Sequence, residues 1–88
     1  MKGGNGMSLN IEQLVKEGEA LETQIDGMTL SGKEYSEWIT ICSFYLEENH
    51  KSAAFTKQFI EKSKNAVGSW ASVYYELLGI MSGVQKLK

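Results

Sequence analysis

A surface helix needs one apolar stripe and one wet one. The last twenty residues, Ser69 to Lys88, offer almost nothing for the wet one. At 100° per residue, Trp70, Val73, Tyr74, Leu77, Leu78, Ile80, Met81, Val84 and Leu87 fill about half of the circumference. The other half holds Ala71, Ser72, Tyr75, Gly79, Ser82 and Gly83, with only Glu76 and Lys86 charged. Such a helix is expected to touch something on both sides. Gly79-Ile-Met-Ser-Gly83 is a Gly-x-x-x-Gly, and Ser72, Glu76, Gly79 and Gly83 step by four, three and four along one face. Either a neighbouring helix of the same bundle or another copy of the chain lies close there.

The rest of the chain reads the same way. There is no proline among its 88 residues, and the only glycine cluster is at the N-terminus. That favours helices over short strands, which need more turn residues. Ile11, Leu14, Val15, Gly18, Leu21 and Ile25 repeat at helical steps over residues 10–26, with Asn10 and Gln13 as a capping box and Gly27 as a stop. Glu22 lies at the edge of that stripe, where it is expected to snorkel or pair. Ser31 with Glu34 marks the start of a second helix, 32–48, whose inner stripe is Tyr35, Trp38, Ile39, Cys42, Tyr45 and Leu46. Ile41 and Phe44 fall on its far side, beside Glu37 and Glu48, as a second candidate contact. A third helix, 53–65, is capped by Ser52 and has Phe55, Phe59, Ile60 and Ala66 inside. Ser69 caps the fourth, 69–88. With connections this short, the expectation is an all-α, antiparallel three- to four-helix bundle and no strand.

The chain is long enough for one small domain, residues 9–88. Residues 1–8 read as a flexible leader or a remnant of expression engineering, with Met7 as a candidate natural start. The last helix has no C-cap, which suits either a domain cut from something longer or a frayed end. The single cysteine, Cys42, has no partner for a disulfide. No run approaches the roughly 18 apolar residues of a membrane span, and no signal peptide is apparent. A cytoplasmic protein is expected.

Chemistry is sparse. Glu47 and His50 have the Glu-x-x-His spacing of di-iron bundles, but the chain has one histidine, and a second motif with two more inward glutamates would be needed. Helix-end solvation is the better reading, with no metal and no cofactor. Cys42 falls in an apolar stripe with no placed base. Pairs such as Glu19 with Glu22, or Glu34 with Glu37, lie among other charges and read as solvated faces. No enzyme is expected.

Charge is unevenly divided. Residues 1–50 carry three lysines against nine acids, and residues 51–88 carry six lysines against two acids. The second and third helices could form a helix-turn-helix with Lys51, Lys57, Lys62 and Lys64 near phosphates. Against this stand the absence of arginine, a pI near 5.3, a turn lacking the usual glycine, and a wheel on which the four lysines split into two stripes. Nucleic-acid binding through the third helix is the alternative. The leading expectation is a protein-interaction or oligomerisation module, whose surface is Ser72, Tyr75, Glu76, Gly79 and Gly83 with Ile41 and Phe44, and whose partner is another protein or a second copy through helix 4.

Tyr35-x-x-Trp38, Tyr45-Leu46-Glu47-Glu48, Phe55 and Phe59, then Leu78-Gly79-Ile80-Met81 form a loose pattern. Over about residues 10–88 it resembles small helical domains of uncharacterised bacterial proteins, some associated with phage, mobile elements or defence systems. The resemblance implies a helical fold and an origin, and carries no functional residue. An all-lysine basic complement also fits an AT-rich genome.

Overall fold

The structure, a computed structural model, describes residues 10–87. Among these, four α-helices and one two-stranded sheet follow in the order α1 (Ile11–Ala20), β1 (Thr29–Leu30), α2 (Lys33–Asn49), α3 (Ala54–Ser63), β2 (Ser69–Trp70) and α4 (Ala71–Lys86). The leader expected over residues 1–8 lies outside the described residues.

Asn10 caps α1 as its sequence predicts, accepting bonds from the amides of Glu12 (2.8 Å) and Gln13 (3.4 Å). The reciprocal half of the box does not form, because the Gln13 amide donates instead to Glu17 at 2.9 Å. The helix also stops earlier than its periodicity suggests, passing into a 3-10 turn at Leu21–Gln24. Side-chain hydroxyls compete there for the carbonyls that the next α-turn would use: Tyr74 donates to Gly18 at 2.6 Å and Thr23 to Ala20 at 3.0 Å. The chain then reverses at Asp26–Thr29, whose backbones exchange bonds of 2.9 and 3.2 Å. Gly27 makes that reversal possible with φ +67°.

The expectation of no strand is corrected. Thr29 pairs with Trp70 and Leu30 with Ser69, antiparallel, so that β1 and β2 clip the α1–α2 connection to the α3–α4 connection. Strands of two residues have no period to read. The three serine caps are corrected as well. Ser69 is drawn into the ladder and Trp70 takes the cap position, while Gly32 and Ala53 stand at the heads of α2 and α3 with no side-chain cap bond. The α2–α3 turn is tied instead by Thr56, buried, whose hydroxyl donates to the His50 carbonyl at 2.7 Å.

Helix contacts run in a ring, α1 on α2, α2 on α3, α3 on α4, with α4 closing most extensively on α1. Inside the ring lie Ile11, Leu14, Tyr35, Trp38, Cys42, Leu46, Phe59, Tyr74, Leu77 and Met81, nearly all of them on the predicted inner stripes. Two members of the predicted α4 core are not there. Trp70 is 61% exposed and Leu87 69% exposed. Both flank the helix rather than lie within it, Trp70 in extended backbone before the first turn and Leu87 after the last, so the helical angle does not place them. Ala71, assigned to the outer face, is buried. Gly18 lets side chains of α2 and α4 reach the α1 backbone: a Cβ on it would lie 2.5 Å from Trp38 Cζ2 and 2.9 Å from Leu78 Cδ1. The Trp38 indole uses the approach to donate to the Leu14 carbonyl at 2.8 Å.

Candidate functional site

The α4 face that the sequence picks out is on the surface. Ser72, Tyr75, Glu76, Gly79 and Gly83 are all exposed. A Cβ on Gly79 or Gly83 would have no atom of another element within 4 Å. The option that a neighbouring helix of this bundle packs there is therefore overturned; the ring is closed through the opposite face of α4, by Tyr74, Leu77, Met81 and Val84. Glu76 is tied down by Lys62 of α3 at 2.9 Å. Tyr75 reaches across to α1's extension, donating to Glu22 at 2.8 Å, which gives that edge glutamate its partner. The bond holds the Tyr75 phenol above its ordinary pKa, because ionising it would set two negative oxygens against one another.

At the start of this face the sheet turns outward. Met28 is 71% exposed, and together with Trp70, Tyr75, Ile25 and Ser72 it lines a hollow of about 400 Å³. Met28 and Trp70 were not among the sequence candidates for the contact surface. A weak signal existed in the short segments after Gly27 and Gly68, two glycines that break the helical period, each just before a two-residue strand.

Ile41 and Phe44 are also exposed, as expected, and they lie elsewhere. Ile41 lines a groove between α1 and α2 with Trp38, Leu21 and Ala20 as its floor and Glu17, Glu34 and Glu37 around it. No α4 residue lines this groove. The sequence candidates thus form two separate surfaces.

The lysines do not converge. All four of Lys51, Lys57, Lys62 and Lys64 are exposed, but Lys62 is bound to Glu76 and Lys64 to Glu61 at 3.1 Å. His50 packs its ring between Tyr45 and Phe55, with centroids 6.3 and 5.3 Å away. Among the described residues no three His, Cys, Asp or Glu side chains gather where a metal could be held. Cys42 is fully buried, and desolvation, with Glu17 as a smaller contribution, pushes its thiol far up, so it is held as the inert thiol. Burial, reinforced by Tyr74, pushes Tyr35 up to about 12, and the Tyr35 hydroxyl is left without a hydrogen-bond partner. No helix among the described residues is long and apolar enough to cross a membrane.

No protein-family model matches the chain, and no curated protein or solved structure matches it either.

Proposed function

We propose that this chain is a non-enzymatic protein-interaction or oligomerisation module of bacterial or phage type, built as an antiparallel helical bundle. It docks on a protein partner or on a second copy of itself through the outer face of α4, with the Ile41–Phe44 stretch as a further contact. The observation that carries this reading is the open ground over Gly79 and Gly83, continuous in sequence with Tyr75, Ser72 and the exposed Trp70. A solvated helix face gains nothing from two glycines, each of which costs about 1 kcal/mol relative to alanine. A face that must let another backbone approach does gain from them. Burying the neighbouring Trp70, Met28 and Tyr75 would supply roughly 25 cal/mol per Å² of apolar surface, offset by association entropy. A cytoplasmic setting goes with this reading, on the single cysteine.

Leucine at both Gly79 and Gly83 tests it, because a Cβ at either position meets no atom of another element within 4 Å. Sedimentation equilibrium should show wild type associating with itself or with a co-purified partner, and the double variant failing to do so with its helical circular dichroism unchanged. A wild-type chain that stays monomeric at high concentration, with a partner profile the variant shares, would count against the proposal. The nucleic-acid alternative has less support, since Lys62 and Lys64 already face carboxylates. Absence of a mobility shift at micromolar protein and low salt would remove it.

A further inference from the structure

The groove between α1 and α2 is built differently from the α4 face, and its chemistry specifies an occupant. Its floor is apolar, with Ala20, Leu21, Trp38 and Ile41, and the space above it measures about 340 Å³. That is room for one or two anchoring side chains and not for a globular surface. Three carboxylates surround it, Glu17 and Glu34 and Glu37. Neutral amides hold two of them in place without cancelling their charge: Gln13 donates to Glu17 at 2.9 Å, and Gln24 donates to Glu34. Among the described residues the one cation within ion-pair range is Lys33, 4.0 Å from Glu37 and largely in solvent. Glu34, Glu37, Ile41, Phe44 and Glu48 fall on a single stripe of α2, so that an acidic–apolar–acidic strip continues beyond the groove along one helix face.

We infer that this groove binds a basic amphipathic helix of a protein partner, which seats an aliphatic anchor over Ile41 and Leu21 and places lysine or arginine one turn to either side, against Glu34, Glu37 and Glu17. The inference rests on the reading of the chain as an interaction module and gives one of its two surfaces a partner chemistry. The carboxylates select for positive charge and steer its approach, while the floor supplies the affinity. A second copy of this chain fits less well. Its lysines that make no ion pair among the described residues include Lys51 and Lys57 at the α2–α3 corner, where no exposed leucine or isoleucine accompanies them, and Lys86, whose exposed neighbour Leu87 lies past the last turn of α4 and so shares no helix face with it.

The two tryptophans make the test direct, since Trp38 lies in the groove floor and Trp70 in the α4 hollow. The full chain, labelled with ¹⁵N, is titrated with a synthetic helix carrying leucine at positions i, i+4 and i+7 and lysine beside them, and with the same helix bearing glutamate for lysine. The Trp38 indole and the amides of Ala20, Gln24 and Ile41 should shift with the lysine peptide alone, while the Trp70 indole stays put. Glu34→Gln with Glu37→Gln should weaken binding about fivefold, and raised salt should weaken it further. Ile41→Ser should weaken it roughly tenfold with the fold intact, as a check on the floor. Three outcomes would overturn the inference: no groove shift at millimolar peptide, equal binding of the glutamate peptide, or concentration-dependent shifts of the groove and of Lys51, Lys57 or Lys86 without any peptide. The last would assign the groove to a second copy. A response of the Trp70 indole alone sinks the groove and leaves the α4 proposal standing, and the Gly79 and Gly83 leucine variant judges that proposal independently.

Discussion

Gly18 in α1 and the pair Gly79 and Gly83 in α4 put the same residue into the same secondary structure for opposite reasons. At Gly18 the missing Cβ is already filled, by the Trp38 ring and the tip of Leu78. At Gly79 and Gly83 it looks onto open space. The spaced pair resembles a helix-packing motif far more than the single glycine does, yet it is the single glycine that has side chains of two neighbouring helices against it. Spacing records which residues share a face; whether that face has a neighbour is decided by elements elsewhere in the chain.

The sharpest way to break the comparison is Gly18→Ala. Trp38 cannot move aside freely, because its indole is bonded to the Leu14 carbonyl. Overpacking should outweigh the better helix propensity and cost about 2–3 kcal/mol in urea denaturation. An alanine tolerated at Gly18 would show that the approach is looser than described.

Alkaline pH should loosen the same seam next. Burial, with smaller contributions from Glu22, Tyr75 and Glu19, raises Tyr74 from 10.0 to about 12, and Tyr35 is raised as far by burial and by Tyr74. In the folded state both phenols hold their protons more tightly than in the unfolded chain. Their contribution is therefore complete below pH 10 and lost as pH rises towards 12, on the order of 2 kcal/mol for each tyrosine. Denaturation midpoints at pH 8, 10 and 11.5 would show it, and a flat profile would refute it.

The two tyrosines then separate. Tyr74→Phe removes the donor to the Gly18 carbonyl and should cost about 1 kcal/mol. Tyr35→Phe removes a hydroxyl that has no partner and should stabilise the fold by up to about 1 kcal/mol. Equal losses from the two would mean that Tyr35 has a partner after all. The smallest effect is expected at the open glycines: Gly79→Ala and Gly83→Ala should each raise stability by about 0.5–1 kcal/mol, with no clash to offset the gain. A loss there would mean that the face is covered within the monomer.

Much of the helical content was legible because each helix has an apolar stripe long enough to establish a period. The inner face of α2 and the Asn10 cap came through intact, and every residue expected on the outer contact surface is indeed exposed. What did not come through was set by tertiary pairing. Ser69 and Trp70 read as the cap and first core residue of a helix, and became a strand because Thr29 and Leu30, forty positions earlier, lie alongside. Met28 went unnoticed for the same reason. The groove was half visible: Ile41 beside Glu37 could be placed on one side of α2, but Glu17 and Gln24 face it only once α1 is laid against α2.

The small sheet has a consequence for the architecture as a whole. It divides the molecule into two stretches of the same plan, a short helix, a two-residue strand and a long helix, with helices of 10 and 17 residues in the first and 10 and 16 in the second. An antiparallel pair of strands carries a local dyad, and the α1–α4 and α2–α3 contacts are the ones a dyad there would exchange. The sequence holds no repeat, so the symmetry belongs to the topology alone. Cut at the Lys51–Ser52 turn, the chain would yield two pieces of matching plan and opposite charge, one with five more acids than lysines and the other with three more lysines than acids. Each lacks the other's half of the core, and the intact protein is in effect a heterodimer joined by one turn.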